Sequence, residues 1–124
     1  MAQKIVIIDD SELVLTMAGD ILAEAGYEVC TAGNSIEANQ FIFAADRPAL
    51  ILLDVMMPLL DGDKKLKILK SSPHTRTIPV VFLSSKPEAE LQQLTADTGA
   101  DGYLCKPFTA GSLLATVQRF VPKP

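Results

Sequence analysis

The 124-residue sequence has little of what several kinds of site require: it contains no tryptophan, one histidine and two cysteines. Cys30 and Cys105 lie far apart and form no CxxC pair, so neither a disulfide framework nor a zinc site is predicted. Both are interpreted as small core residues in a reducing compartment. Because His74 is the single histidine, an imidazole-based metal site is not expected either.

Long apolar runs and an excess of positive charge are also missing. No stretch approaches the ~18 apolar residues of a membrane span, and the short apolar run ahead of Asp9 is too small for a signal peptide. The net charge of −4 and the pI near 4.8 argue against broad binding to a nucleic-acid backbone. With 48% apolar and 21% charged residues, we expect one globular, cytoplasmic domain over residues 1–124, with no membrane or direct nucleic-acid partner.

What the sequence does contain is an alternation of two patterns. Short apolar, β-branched runs, typical of strands, recur at 4–8, 27–31, 49–53, 78–83 and 101–105. Helical periodicity between them is clearest in three apolar faces, namely Leu13, Met17, Ala18, Ile21 and Leu22; Ala38, Phe41, Ile42 and Ala45; and Leu113, Leu114, Val117 and Val121. Weaker helices are predicted at about 62–71 and 88–97. Candidate N-caps are Asp10 or Ser11, Asn34 or Ser35, and Thr109. Five strands alternating with five helices predict an α/β fold with a mostly parallel sheet.

The first and third predicted strands each end in acidic residues. The apolar residues 5–8 run into Asp9 and Asp10, and the apolar residues 50–53 stop at Asp54. In an open parallel sheet, ligands bind outside the carboxyl ends of the strands, where the strand order reverses. Right-handed crossovers place strands one and three side by side at that point, so the three carboxylates are expected to meet.

Carboxylates this close repel each other. At about 4 Å and an effective dielectric constant near 20, each pair costs roughly 4 kcal/mol, so either some stay protonated or a cation lies between them. Acidic oxygen ligands at a solvent-facing edge suit a hard ion such as Mg²⁺. Ser84 and Lys106, at the ends of strands four and five, add a hydroxyl donor and an ammonium group to the same edge. Phosphoryl transfer needs these parts, with Asp54 as the nucleophile.

The same residues, in the same order, resemble those of a response-regulator receiver domain, and the resemblance covers the whole chain. The matching motifs are the acid pair at 9–10, "DVMMPLLDG" with Asp54 and Pro58, Ser84, and "KP" at 106–107. The resemblance implies a flavodoxin-like (βα)5 fold with sheet order 2-1-3-4-5. It also implies Mg²⁺ ligation by Asp10, Asp54 and the backbone carbonyl of Met56, with Asp9 supporting the ion through water. A cis peptide bond before Pro107 is implied as well.

The resemblance further implies a partner and a switch. A histidine kinase or histidine phosphotransfer protein would phosphorylate Asp54. Since His74 lies in a Ser/Pro/Thr-rich surface loop at 71–79, a relay within this chain is not expected. Tyr103 matches the family's switch aromatic. On phosphorylation, Ser84 would move toward the phosphoryl group and Tyr103 would rotate inward, changing the surface of helix four, strand five and helix five for an output protein or effector domain.

Each residue taken alone also has an ordinary structural interpretation. For the site these are an N-cap of the first helix for Asp9, Asp10 and Ser11, a turn residue for Asp54, a cap of helix four for Ser84, a surface lysine for Lys106 and a core aromatic for Tyr103. The four lysines of the third helix, Lys64, Lys65, Lys67 and Lys70, are interpreted as a solvated face, with partner binding as the lesser alternative.

Three rival functions are weighed against the receiver. A haloacid-dehalogenase-type phosphatase needs a second acid two residues after its nucleophile, and Met56 occupies that position. A flavodoxin-like FMN carrier needs a phosphate-binding loop after strand one, where "DDSELV" is acidic. A receiver-like interaction module that is never phosphorylated stays open. The cognate kinase, the output partner and the choice between a stand-alone protein and part of a longer chain stay open too.

Overall fold

The computed structural model describes residues 3–56 and 61–122. In chain order its strands and helices are β1 Lys4–Ile8, α1 Glu12–Glu24, β2 Glu28–Ala32, α2 Asn39–Ile42, β3 Leu50–Asp54, α3 Gly62–Ser71, β4 Val80–Ser84, α4 Glu88–Thr98, β5 Gly102–Cys105 and α5 Ala110–Gln118. The alternation expected from the sequence is therefore confirmed. None of these helices has the length and apolar character needed to cross a lipid bilayer.

The five strands form one parallel sheet in the order β2-β1-β3-β4-β5, which confirms the expected topology. β1 and β3 are neighbours at its centre, with Ile8 opposite Leu53, and β4 follows with Leu83 opposite Asp54. The carboxyl ends of these strands therefore lie together at one rim of the sheet, where the strand order reverses.

Both faces of the sheet are covered by helices. Successive residues of a strand point to opposite faces, and buried residues of β1, β3 and β4 accordingly belong to two separate cores. One core includes Ile42, Leu66 and Leu91 of α2, α3 and α4, and the other includes Leu22 and Leu113 of α1 and α5. Because these central strands are buried on both sides, they read as continuous apolar runs.

The caps of α1 and α5 agree with the sequence. Of the two candidates for α1, Ser11 is the N-cap, and its hydroxyl accepts a 3.3 Å hydrogen bond from the Val14 amide. Thr109 caps α5 in a reciprocal arrangement with Ser112, in which each side chain accepts from the other residue's amide. Such caps satisfy amides that have no partner within the helix.

The predicted apolar face of α1 is partly wrong. Ala18 and Leu22 are buried, but the side chains of Leu13 and Met17 are 70% and 43% exposed. Helical spacing puts apolar residues on a stripe without saying how wide a stripe the neighbouring elements cover. Here α1 is covered along the line of Ala18 and Leu22, so one flank of the stripe faces solvent.

α2 is shorter and begins later than predicted. It covers Asn39–Ile42 and ends before Ala45. Asn34, a candidate N-cap, instead accepts hydrogen bonds of 3.0 and 2.8 Å from the amides of Ile36 and Glu37 in the preceding turn. An Asn side chain that binds nearby amides in this way holds the backbone in a turn and competes with helix formation.

The interpretation of the α3 lysines as a solvated face is wrong for one of them. Lys65 is only 2% exposed and its ammonium group donates a hydrogen bond to the side-chain oxygen of Asn39 in α2. Burial lowers the pKa of this lysine. Lys65 lies on the same helical face as the buried Leu66 and Leu69, so its aliphatic stem packs inward while its head reaches a polar partner.

The predictions for the two cysteines and for the loop at 71–79 are only partly correct. Cys30 and Cys105 are free thiols, as expected, but each is half-buried rather than central to a core. In the predicted surface loop at 71–79, Ser71 belongs to α3, and Thr75 is fully buried with its hydroxyl donating to the Leu69 carbonyl at 2.6 Å. The loop therefore closes the end of α3 rather than extending freely into solvent.

Candidate functional site

Three carboxylates meet at the rim where β1 and β3 end. Asp9 and Asp10 follow β1, Asp54 is the last residue of β3, and Ile8 and Leu53 lie opposite each other in the register of the two strands. One carboxylate oxygen from each of the three acids lies within 4.8 Å of the others. The expected convergence of these acids is confirmed.

Asp9 is the most deeply buried member of the cluster, with no exposed surface. Its Oδ1 accepts a 2.9 Å hydrogen bond from the Ser11 amide, which holds the carboxylate at the start of α1. Its Oδ2 is buried and has no aligned hydrogen-bond donor among the described residues, although the ammonium nitrogen of Lys106 lies 2.5 Å away as an ion pair. Asp9 therefore belongs to the acid cluster and is not the N-cap of α1, which is Ser11.

Lys106 is the one basic side chain that pairs with the acid cluster in the described parts of the chain. It follows β5, and its backbone amide donates a 2.8 Å hydrogen bond to the Ser84 carbonyl, so the ends of β4 and β5 are tied together. Its Nζ lies 2.5 Å from Asp9 Oδ2 and 3.7 Å from Asp54 Oδ1. The peptide bond from Lys106 to Pro107 is cis, as the family resemblance implied.

The carboxyl group of Asp54 holds its proton unusually tightly. Asp54 is only 5% exposed. Burial, followed by the neighbouring Asp9 carboxylate, raises the pKa of Asp54 from 3.8 to about 7, with a smaller contribution from Asp10. The Lys106 ammonium and the 3.3 Å hydrogen bond from the Met56 amide act in the opposite direction. A single ammonium group therefore does not compensate the negative charge at this rim.

The cluster fits a hard divalent cation. Three acids converge, the one ammonium group pairs with only Asp9 and Asp54, and Asp9 Oδ2 is a buried oxygen without an aligned donor. All the converging ligand atoms are carboxylate oxygens at the edge of a sheet, which is the donor set that Mg²⁺ takes up while keeping several waters. The backbone carbonyl of Met56 as a further ligand stays a prediction.

The raised pKa of Asp54 leads to a pH-dependent stability. In metal-free protein between about pH 4 and pH 7, the folded state holds a proton that the unfolded chain has released, so the free energy of unfolding falls as pH rises through this window and levels off above it. We expect a loss of roughly 1–2 kcal/mol, below the full linkage value because solvent at the rim screens part of the charge. Denaturant unfolding with EDTA at pH 5 and pH 8 measures it.

The Asp54→Asn variant is the control for this pH effect, because its amide does not titrate. Its stability should be nearly the same at the two pH values, apart from changes that the wild type shares. Added Mg²⁺ should stabilise the wild type more at pH 8 than at pH 5, since protons compete with the ion. Equal pH dependence in wild type and variant would show that Asp54 is not the group responsible.

Ser84 is the last residue of β4, beside Asp54, and is buried. Its Oγ accepts a 3.0 Å hydrogen bond from the Lys86 amide, which leaves the hydroxyl proton available for another acceptor. The alternative interpretation of Ser84 as the cap of α4 is wrong, because α4 begins at Glu88 with Pro87 at the N-cap. The hydroxyl therefore keeps a proton to donate at the end of β4.

Tyr103 lies on β5, opposite Phe82 of β4. Residues 82 and 84 of β4 point to the same face of the sheet, so Ser84 and Tyr103 share the face covered by α4. The Tyr103 ring packs at the margin of that core, and its hydroxyl lies 3.4 Å from the Glu88 carboxylate of α4. The side chain thus connects the strand next to Ser84 with the outer surface of α4.

Gly62 has a role that sequence reasoning missed. Its amide donates a 2.8 Å hydrogen bond to the Val55 carbonyl, which brings the start of α3 back against the end of β3. A Cβ atom at position 62 would lie 2.3 Å from the Asp54 carbonyl oxygen and 2.8 Å from the Val55 Cα, closer than packed atoms approach. The Asp-Gly pair at 61–62 is a recognisable turn signal, but the close approach needs coordinates. Pro58, the other motif residue of this loop, lies outside the described residues.

Comparison with known proteins gives a consistent result. The family model "Response regulator receiver domain" matches residues 5–118. Protein PilG of Pseudomonas aeruginosa is 34% identical over 119 residues, which cover 96% of this chain and 87% of PilG. Several other curated relatives are 33% to 36% identical, and the chain spans about half of their length. The similarity therefore extends over nearly the whole chain.

Solved structures show the same similarity in three dimensions. The chemotaxis protein CheY4 of Vibrio cholerae superposes with a TM-score of 0.89 at 33% identity, covering 98% of this chain and all of CheY4. The receiver domain of the sensor histidine kinase PA1611 of Pseudomonas aeruginosa superposes with a TM-score of 0.86 at 25% identity, covering 97% and 98% of the two chains. That structure holds a magnesium ion coordinated in its active-site cleft.

Proposed function

The chain belongs to the response regulator receiver domain family, and on that premise we propose that Asp54 accepts a phosphoryl group from a phosphohistidine of a partner protein. The observation that carries this proposal is the convergence of Asp9, Asp10 and Asp54 with Lys106 at the rim where β1 and β3 end. Residues 1–124 form one receiver domain in this proposal. The chain is a signalling acceptor that catalyses only its own phosphorylation and dephosphorylation.

In the transfer step, an oxygen of the Asp54 carboxylate attacks the phosphorus atom in line with the bond to the donor imidazole. The phosphorus–oxygen bond forms as the phosphorus–nitrogen bond breaks, and the imidazole nitrogen keeps the electron pair. The product is an acyl phosphate on Asp54. Such a transfer depends on positive charge placed against the equatorial phosphoryl oxygens.

Lys106 and Ser84 are the side chains that interact with those phosphoryl oxygens in this proposal. The Lys106 ammonium, 3.7 Å from Asp54 Oδ1, is near enough to pair with a phosphoryl oxygen on that carboxylate. The Ser84 hydroxyl has a proton to donate, since its oxygen already accepts from Lys86. Mg²⁺, held by Asp10, Asp54 and the Met56 carbonyl with Asp9 in support, would add the remaining positive charge when bound.

The donor belongs to another protein in this proposal. The single histidine, His74, follows α3, and the helices of a parallel α/β sheet end at the rim opposite to the carboxyl ends of the strands. His74 therefore lies toward the rim of the sheet opposite to Asp54 and does not reach its carboxylate. A histidine kinase or a histidine phosphotransfer protein supplies the phosphohistidine.

The output is a change of surface around Tyr103. A dianionic group on Asp54 draws the Ser84 hydroxyl toward it, and Tyr103, on the same sheet face, moves into the space released. The outer side of this region is a groove of about 660 Å³ whose lining includes Glu88 of α4, Tyr103 of β5 and Arg119 after α5. A downstream output protein or effector domain reads the reshaped α4-β5-α5 surface.

Incubation with acetyl phosphate tests the proposal without a cognate kinase. With Mg²⁺ present we expect intact-mass spectrometry to find one added phosphoryl group, and with EDTA in excess we expect none. The dependence follows because the acid cluster repels an anionic donor unless its charge is neutralised. Failure to label at any Mg²⁺ concentration would favour the alternative, an interaction module that works without phosphorylation.

A further inference from the structure

The basic residues of this acidic chain are concentrated in one segment. Between Asp63 and Glu88 there are six basic residues and no acidic one, whereas all 15 acidic residues of the chain lie outside this segment. The six are Lys64, Lys65, Lys67, Lys70, Arg76 and Lys86. Charge separation of this kind produces a local positive potential on a protein whose net charge is −4.

Three of these side chains are exposed on or just after α3 and are not used within the fold. Lys65 is buried against Asn39, and Lys70 pairs with Asp101 at 2.9 Å. Lys64, Lys67 and Arg76 are exposed, and across residues 3–56 and 61–122 no hydrogen bond or ion pair engages their side chains. Their charge is therefore directed at solvent or at a partner.

Two large apolar side chains are exposed, one within this segment and one in contact with it. Ile68, one turn after Lys64 in α3, is 48% exposed, and Phe43, just after α2, is 45% exposed. The Phe43 ring stacks on the ring of His74 with centroids 6.1 Å apart, and the Arg47 guanidinium donates to the His74 carbonyl at 2.6 Å. These contacts hold the loop after α3 against the end of α2.

α2 and α3 cover the same face of the sheet, and two side-chain contacts join α2 to α3 and to the loop after it, which places Phe43 on the same side of the molecule as the exposed residues of α3. Asn39 of α2 contacts Lys65 of α3, and one turn further along each helix come Phe43 and Ile68. The Phe43–His74 stack closes the same end of the pair. We call this surface the α2–α3 patch and define it by Phe43, Lys64, Lys67, Ile68 and Arg76.

We propose that the α2–α3 patch docks an acidic protein segment that carries large apolar side chains. The basic residues attract Asp and Glu at the rim of such an interface, and Phe43 and Ile68 bury its apolar residues at the centre. A duplex nucleic acid does not fit, since it offers no apolar groups to cover Phe43 and Ile68 and is repelled by the rest of this acidic chain.

The apolar centre of the patch, Phe43 with Ile68, lies at the ends of α2 and α3, toward the rim opposite the carboxyl ends of the strands. Leu66 and Leu69 point from α3 toward the sheet, whereas Lys64, Lys67 and Ile68 point away from it. Asp54 is reached from the carboxyl ends of the strands. A partner on the patch therefore leaves Asp54 open, and the proposal does not depend on phosphorylation.

The test is an amide NMR titration of unphosphorylated protein with a short synthetic peptide of Asp and Glu interspersed with Leu and Phe. We expect signals of Phe43, Ile68 and residues beside them to shift, and the binding to weaken as salt rises from ~0.01 M to ~0.15 M. Lys67→Glu and Ile68→Ser should each weaken binding about tenfold. Thr16→Glu, which places the same acidic side chain at an exposed position of α1 on the other face of the sheet, should leave it nearly unchanged.

Several outcomes would overturn the proposal. One is peptide shifts spread over other faces, and another is equal binding of a control peptide in which Leu and Phe are replaced by Ser. A third is tighter binding of a short DNA duplex or of anionic lipid vesicles than of the peptide. A fourth is sedimentation showing that the patch is covered by a second copy of this chain. None of these outcomes bears on whether Asp54 is phosphorylated.

Discussion

Replacing Asp54 with asparagine is expected to abolish phosphorylation by acetyl phosphate while the fold is retained. The amide has nearly the shape of the carboxylate, and Asp54 is buried among groups that fix its position. It lacks the anionic oxygen that attacks phosphorus, so no acyl phosphate forms. Because the substitution also removes a buried charge beside Asp9, the variant should be at least as stable as wild type near pH 8.

The matched control is Asp61→Asn. Asp61 is an exposed acid at the N-cap of α3, and its side chain makes no capping hydrogen bond. This variant has the same change in charge as Asp54→Asn and should be phosphorylated at a rate within about twofold of wild type, as surface changes away from special contacts have small effects. Equal labelling of Asp54→Asn and wild type would refute Asp54 as the acceptor.

Adding one methyl group at position 62 is expected to destabilise the fold strongly. In Gly62→Ala, the new Cβ would lie 2.3 Å from the Asp54 carbonyl oxygen and 2.8 Å from the Val55 Cα, and both are backbone atoms. The end of β3 or the start of α3 must therefore shift. We expect the free energy of unfolding to fall by roughly 1–3 kcal/mol, the range typical of an overpacked core.

Gly111→Ala is the control for this prediction. Gly111 lies in the first turn of α5, where a Cβ meets only the Thr109 hydroxyl at 3.8 Å. Alanine at position 111 should raise the free energy of unfolding by about 0.5–1 kcal/mol, because alanine has a higher helix propensity than glycine. Urea unfolding of both variants measures the contrast, and Gly62→Ala should also label more slowly with acetyl phosphate since Asp54 is displaced. A stability of Gly62→Ala equal to that of wild type would contradict the account.

The sheet was predictable because strands that are buried on both faces consist almost entirely of apolar residues. Strands β1, β3 and β4 appear as unbroken apolar runs, and each run ends where the chain reaches the rim that carries Asp9, Asp54 or Ser84. The parallel order then follows from the alternation with helices. The convergence of the acids was predictable for the same reason.

The helices were less predictable where local and tertiary effects compete. Asn34 carries a strong capping signal, yet its side chain stabilises a turn ahead of α2. Leu13 and Met17 have the spacing of core residues but are exposed, since spacing does not reveal how much of a helix its neighbours cover. Lys65 has the charge of a surface residue but reaches Asn39 from a buried stem, a contact between distant parts of the chain that periodicity does not encode.

The residues of the site were predictable from the sequence, but the contacts that hold them in place were not. Asp9, Asp54, Ser84 and Lys106 follow strands that the pattern identifies. Gly62 differs, because its importance lies in a backbone contact with Asp54 across a loop, and no composition rule states which glycine makes such a contact. The link from Tyr103 to Glu88 likewise depends on how α4 lies against β5.

Identification of the phosphorylated residue tests the central claim most directly. Protein treated with Mg²⁺ and acetyl phosphate is reduced with borohydride, which converts an acyl phosphate to the corresponding alcohol, and is then digested and sequenced by mass spectrometry. We expect homoserine at position 54 and aspartate at positions 9, 10 and 61. Homoserine at one of those other positions, or a reduction-resistant phosphate on Ser84, would contradict the assignment of Asp54 as the group that takes up phosphorus.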